Sequence, residues 1–109
     1  MTKFKELFPE LVDMYLGCSE KNWDGYDADP IPIEAYDDVI RVVAALPDCI
    51  DEWDISPAPD GSILLEWRNK KVIIAVNGCG RGVFETDNFQ IEFNTDQKLP
   101  AEALDILSN

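Results

Sequence analysis

Six carboxylates between residues 24 and 38 are the side chains best suited to bind a cation or a basic partner. They are Asp24, Asp27, Asp29, Glu34, Asp37 and Asp38. Carboxylate oxygens bind hard divalent cations, and on a protein surface they complement a cationic partner. The loop lacks the alternating ligands, the glycine and the distal glutamate of an EF-hand. We therefore predict no metal site and no cofactor, and we interpret these carboxylates as stand-ins for phosphates that face a partner.

Cys79 is the one residue whose setting resembles that of a nucleophile. It lies in Gly78-Cys79-Gly80-Arg81-Gly82, where the neighbouring cation could favour the thiolate. A hairpin turn explains the same glycines, and the following Val83-Phe84 is strand-like, unlike the helix that follows a phosphate-binding loop. The chain contains no histidine, the commonest general base near neutral pH. We therefore expect that the protein is not an enzyme.

Charge in this chain is both strongly acidic and unevenly distributed. Its 22 acidic and 9 basic side chains give a formal net charge of −13. Residues 20–60 hold twelve acidic and two basic residues, and so carry ten of the thirteen net charges. A direct nucleic-acid ligand would need a cationic stripe that releases counterions, and the sequence has none. The same repulsion disfavours an anionic membrane surface.

Two interpretations of the acidic segment remain open. Acidic surfaces often only keep small proteins soluble. However, concentrating like charge costs folding stability through self-repulsion, so a compensating use is reasonable. In that case the complementary partner is the basic surface of a larger protein.

Length and composition predict a single domain, residues 1–109, in the cytoplasm. The sequence has no apolar run near 18 residues, and its start lacks the apolar region of a secretory signal. The three cysteines are an odd number at wide spacing, which favours reduced thiols over a disulfide framework or a zinc site. They are Cys18, Cys49 and Cys79.

Apolar periodicity predicts two N-terminal helices. The first carries Phe4, Leu7, Phe8, Leu11, Val12 and Tyr15 on one face and ends near Gly17, with its main part beginning at Pro9. The second begins near Pro32 and ends before Pro47. Its predicted buried stripe is Ile33, Tyr36, Val39, Ile40, Val43 and Leu46, and its predicted outer face is Glu34, Asp37, Asp38 and Arg41.

Beyond residue 48 the period changes to two, which predicts an antiparallel meander of four to five strands. Asn69-Lys70 and the run 78–82 are the predicted turns, Phe89 is assigned to the final strand, and Pro100 opens a short C-terminal helix. The predicted fold class is therefore α+β.

Three aromatic residues have more than one interpretation. Trp23 and Tyr26 could offer flat rings to a ligand or plug their loop onto the core, and a tight turn at Asp24-Gly25 favours packing. Trp67 shares a strand face with apolar neighbours and is predicted to be in the core.

Two motifs carry a resemblance to known proteins: Asn22-Trp23-Asp24-Gly25-Tyr26, followed by Ala28 and Pro30, and the run from Pro59-Asp60-Gly61 to Leu65-Glu66-Trp67. Together they resemble a widespread group of small bacterial and mobile-element proteins with an NWDGY-type loop and a dG-x-I-x-LEW strand. The resemblance covers nearly the whole chain and implies an α+β fold. No established activity comes with it, and Asp27 stands where that group has glycine.

The expected function is that of a non-enzymatic acidic interaction protein that covers a basic, nucleic-acid-binding surface of a larger partner. A mobile-element inhibitor of host defence, such as an anti-CRISPR protein or a restriction inhibitor, fits this description. The partner-binding residues are predicted to be Asp24, Tyr26, Asp27, Asp29, Glu34, Asp37 and Asp38. The alternatives are an antitoxin or immunity protein, and a small-ligand or metal-binding regulatory domain; the oligomeric state stays open.

Overall fold

Three helices and five strands make up the structure, a computed structural model in which residues 2–26, 28–47, 50 and 53–108 are described. Side chains of the first helix are described from Leu7 onward. The elements are α1 (Thr2–Cys18), α2 (Ile33–Ala45), β1 (Asp54–Pro57), β2 (Ile63–Trp67), β3 (Val72–Val76), β4 (Arg81–Glu85), β5 (Gln90–Asn94) and α3 (Ala101–Ser108). The predicted α+β architecture is confirmed.

The five strands form one antiparallel sheet in the order β1-β2-β3-β4-β5. In the register of its central strands, Leu65 pairs with Ile74, and Ile74 pairs with Phe84. All three side chains are buried, and the residues between them along each strand are only half-buried. The period of two in the sequence therefore corresponds to one face that is packed against the core.

The helices supply the rest of that core. α2 contacts β2 and β3, and α1 contacts both α2 and β1. Ala103 and Leu107 of α3 are buried in the same hydrophobic cluster. No helix in the described ranges has the length and apolarity to cross a bilayer.

The first helix differs from the prediction in two ways. It runs without a break from Thr2 through Pro9, so it forgoes the backbone bond that a proline cannot donate. Its buried side is Leu7, Leu11, Met14 and Cys18, whereas Phe8, Val12 and Tyr15, which were predicted on the same face as Leu7 and Leu11, are exposed. Neighbouring elements reach only one narrow side of this helix, and the second apolar row lies about 100° around it.

The second helix is rotated relative to the prediction. Ile33, which was predicted to be buried, is 65% exposed, and Asp38, which was predicted on the outer face, is 2% exposed. Ala35 and Val42 join the buried side. The cause is the hydrogen bonding of Asp38, which is described below.

Local details of the sheet also differ. The turn after β2 is a short 3₁₀ segment, Arg68–Lys70, closed by Lys71 in the left-handed region at φ 55°, and not a two-residue hairpin turn. Phe89 precedes β5 and is exposed. Gly82 belongs to β4 and pairs with Phe93, whose ring takes the space of a side chain: a Cβ at Gly82 would lie 2.5 Å from Phe93 Cζ.

Candidate partner-binding surface

The meander brings two of its turns together at the start of α2. Because antiparallel strands alternate in direction, the β1–β2 and β3–β4 turns share one end of the sheet, and the β2–β3 and β4–β5 turns share the other. α2 begins at the first of these ends, since a Cβ on Gly78 in the β3–β4 turn would lie 3.0 Å from Glu34 Cβ. The loop that precedes α2 therefore runs past the same end.

That loop is held in shape by its own polar groups. Asp24 Oδ1 accepts hydrogen bonds from the backbone N–H of Tyr26 at 2.8 Å and of Ala28 at 3.1 Å. The indole N–H of Trp23 donates to the Asp29 carbonyl oxygen at 2.7 Å, and the half-buried Trp23 ring packs against the core. The predicted packing is confirmed for Trp23 and is wrong for Tyr26, which is 89% exposed.

A backbone hydrogen bond joins this loop to the β1–β2 turn. Asp29 N donates to the Pro59 carbonyl oxygen at 2.7 Å. Gly61, at φ 90°, comes so close that a Cβ there would lie 3.2 Å from the Pro30 carbonyl oxygen. The contact brings the exposed Asp60 beside the loop, where its carboxylate accepts a hydrogen bond from Ser62 N at 3.0 Å. Sequence reasoning did not select Asp60, because its Asp-Gly pair indicates only a turn.

Two further carboxylates project from the outer face of α2. Glu34 and Asp37 are exposed and three residues apart, so they lie on neighbouring positions of one helix face. Glu34 is in the first turn, where the helix dipole favours negative charge. Within the described residues, Asp29, Glu34 and Asp37 enter no ion pair. We call Asp24, Asp29, Glu34, Asp37 and Asp60 the acidic patch.

Most basic residues of the sheet lie far from the acidic patch. Arg68, Lys70 and Lys71 are in the β2–β3 turn, at the opposite end of the sheet, where Arg68 pairs with Asp54 at 3.0 Å. Arg81 lies at the patch end, but its guanidinium is 3.7 Å from the carboxylate of Glu92. The sheet therefore does not neutralise the patch.

Asp38 is a structural carboxylate and does not lie on the surface. Its Oδ2 accepts the N–H of Gly78 at 3.0 Å and of Gly80 at 3.3 Å, and its Oδ1 accepts the Thr95 hydroxyl at 2.9 Å. A buried carboxylate is stable only when such donors replace water. Asp38 thus fastens the β3–β4 turn and the residue after β5 to α2, and we correct its predicted placement on the outer face.

One predicted site residue cannot be placed. Asp27 lies outside the described residues, as do Cys49 and three other acids of the acidic segment, Asp48, Asp51 and Glu52. All five residues of the acidic patch are among the described residues.

The chemistry near Cys79 is limited. Cys79 is exposed, its backbone N–H donates to Asn77 Oδ1 at 3.2 Å, and its thiol lies 3.9 Å from the Arg81 carbonyl oxygen. Burial raises the pKa of the other described thiol, Cys18, which disfavours its reactive thiolate form. In the described part of the chain, no three or more Cys, Asp or Glu side chains are arranged to hold a metal ion.

A shallow cleft of about 350 Å³ is lined by residues of β4, β5 and the segment before α3. Its lining residues are Arg81, Glu92, Phe93, Asn94, Gln97, Lys98 and Pro100. The cleft contains charged groups of both signs, and its lining includes no serine, threonine, cysteine or histidine.

In comparisons with known proteins, no protein-family model matches the chain, and neither a curated protein nor a solved structure matches it significantly.

Proposed function

We propose that this protein binds a larger protein through the acidic patch and covers a basic, nucleic-acid-binding surface there. The observation that carries the proposal is the gathering of five carboxylates around the start of α2, on a hydrogen-bonded loop, a turn and a helix face. Side chains from the loop and α2 take the place of phosphates on the partner. The protein performs no reaction in this role.

Electrostatics supports this role in two ways. A patch of one sign accelerates association with a complementary surface and excludes partners of like charge. Such a patch also destabilises its own fold by self-repulsion, which a basic partner would relieve. Glu34 and Asp37 are exposed and enter no ion pair among the described residues, so their charge is available to a partner.

The hydrogen bonding of the loop before α2 also supports the proposed binding role. The hydrogen bonds of Asp24 and Trp23 tie the described part of the loop to its own backbone, which lowers the cost of ordering it on binding. Tyr26 is 89% exposed on the same loop. An exposed tyrosine is a common anchor in protein interfaces, because its ring adds contact area at small entropic cost. We assign Tyr26 that role.

The more specific proposal is an inhibitor of a host defence protein, such as a CRISPR effector or a restriction enzyme. Its support is the resemblance to mobile-element proteins together with the small size and net charge of −13. Defence nucleases bind nucleic acid in basic channels, which are natural targets for a phosphate-like surface.

The test is affinity capture from a host lysate, followed by mass spectrometry. Glu34→Lys with Asp37→Lys reverses two charges in the patch, and Glu85→Lys with Asp87→Lys makes the same change in net charge at the opposite end of the sheet. We expect the first variant to lose the captured basic partner and the second to keep it. Equal capture by both variants would contradict the proposal. Asp38 is unsuitable for this test, because its replacement would disturb the fold.

A further inference from the structure

The exposed side of α1 has a surface that the acidic patch does not use. Val12, Tyr15 and Leu16 are large apolar residues on neighbouring positions of this helix, and Val12 and Leu16 are 56% and 76% exposed. Exposed apolar residues that are scattered singly need no explanation, but a contiguous group marks an interaction site.

The group continues onto α2. The ring of Tyr15 meets the ring of Tyr36 edge to face, with centroids 5.8 Å apart. One turn before Tyr36, Ile33 is exposed on the same side of α2. The bond from Ile31 N to the Cys18 carbonyl oxygen, 2.9 Å long, holds the start of α2 against the end of α1. We call Val12, Tyr15, Leu16 and Ile33 the apolar stripe.

Acidic residues border the apolar stripe on both sides. On α1, the exposed Asp13 lies beyond Leu16 around the helix. On α2, the exposed Glu34 and Asp37 lie beside Ile33 around the helix, and they also belong to the acidic patch. The two surfaces are therefore adjacent: Asp13 lies on one side of the apolar stripe, and Glu34 and Asp37 lie on the other, with Arg41 one helical turn beyond Asp37.

We propose that the apolar stripe receives an amphipathic helix of the partner whose apolar face is flanked by lysine or arginine. This inference rests on the proposed function, and it adds the form of the partner segment. A helix laid on an apolar surface presents anchors at i, i+3, i+4 and i+7, and basic residues on its flanks would meet the acidic borders. A second copy of this chain would set acid against acid, and an anionic membrane would be repelled in the same way.

The test uses two synthetic peptides of equal composition, each about five helical turns long. In the first, leucines follow the helical period and lysines flank them; in the second, the same residues are scrambled so that no apolar face forms. Binding of each to the full chain is measured by calorimetry at physiological and at high salt. Val12→Ser with Leu16→Ser is the test variant, and Phe89→Ser, a change of an exposed apolar residue at the opposite end of the sheet, is the control. Circular dichroism checks that each variant is folded.

We expect the amphipathic peptide to bind at least about tenfold more tightly than the scrambled one, a difference of about 1.4 kcal/mol. The Val12→Ser, Leu16→Ser variant should remove that preference and Phe89→Ser should not. If both peptides bind equally well, and the Glu34→Lys, Asp37→Lys variant of the chain binds neither, the inference is overturned and the proposed function stands. If neither peptide binds, the inference is overturned, while the proposed function is decided separately by the capture experiment with the charge-reversal variants. The remaining outcome is that the peptides do not bind, but the chain self-associates or binds neutral phosphatidylcholine vesicles. If the Val12→Ser, Leu16→Ser variant loses that binding, the apolar stripe has another occupant and the inference is overturned.

Discussion

Removing the buried carboxylate of Asp38 should destabilise the fold far more than removing the exposed carboxylate beside it. Asp38→Ala leaves the N–H groups of Gly78 and Gly80 and the hydroxyl of Thr95 without their acceptor. Thr95 is itself buried, so water cannot readily replace the carboxylate there. Unsatisfied buried donors cost about 1–3 kcal/mol each, and we expect a total loss of roughly 3–5 kcal/mol.

Asp38→Asn separates charge from geometry. The amide oxygen can face the two glycine N–H groups, and the amide nitrogen can then donate to Thr95 Oγ1. The hydrogen bonds survive without the charge that strengthens them, so we expect a smaller loss of about 1–2 kcal/mol. The matched control is Asp37→Ala, whose exposed carboxylate has no such donors and whose loss should stay within about 0.5 kcal/mol.

The assay is urea unfolding monitored by far-UV circular dichroism, with the free energy of unfolding taken from the linear extrapolation. A double-mutant cycle with Thr95→Val should give a coupling energy of about 0.5–3 kcal/mol, as expected for two groups in contact. The reasoning would be refuted if Asp38→Ala and Asp37→Ala had equal unfolding free energies, or if the cycle showed no coupling.

Three further predictions concern the core. Gly82→Ala should lower the unfolding free energy by about 1–3 kcal/mol in the same urea assay, because the new Cβ displaces the Phe93 ring. Tyr36→Phe should be neutral or stabilising by up to about 1 kcal/mol, because the buried Tyr36 hydroxyl has no hydrogen-bond partner among the described residues; a clear loss would contradict this. Burial raises the pKa values of the Cys18 thiol and of the Tyr36 phenol, the latter also through Cys18 and Tyr15. The unfolded chain therefore releases these protons first, so stability should be at its full value below about pH 8.5 and fall as the pH rises further; Cys18→Ala should flatten that fall.

The sheet could be predicted from the sequence because its signal is local. Ile63, Leu65 and Trp67 alternate with less buried residues, and the same period of two recurs in β3. Each strand pairs with its neighbour in sequence, so no long-range information was needed to order them.

The helix faces could not be predicted as well, because their burial depends on distant residues. The buried Asp38 accepts a hydrogen bond from Thr95, which is 57 positions away in the sequence. The periodicity of α2 gives no information about such a distant partner. Once Asp38 faces inward, Ile33 must turn outward. For α1, the sequence shows two adjacent apolar rows, and only the packing of α2 and β1 decides which row is covered.

The acidic patch was predicted in part. The charge asymmetry indicated the loop and α2, and Asp29, Glu34 and Asp37 are exposed there, while their role in binding stays a prediction. Asp60 was missed because its membership depends on the backbone bond between Asp29 and Pro59, which joins two segments distant in sequence.

The most direct test of the account is a competition between this protein and nucleic acid for the partner that it captures. The partner is titrated with the chain in the presence and absence of a short oligonucleotide that it binds. We predict mutually exclusive binding, and at least about tenfold weaker affinity for Glu34→Lys with Asp37→Lys, which corresponds to about 1.4 kcal/mol. The Glu85→Lys, Asp87→Lys control should keep the original affinity. A ternary complex of partner, oligonucleotide and chain, with affinity unchanged by reversal of the patch charges, would contradict the account.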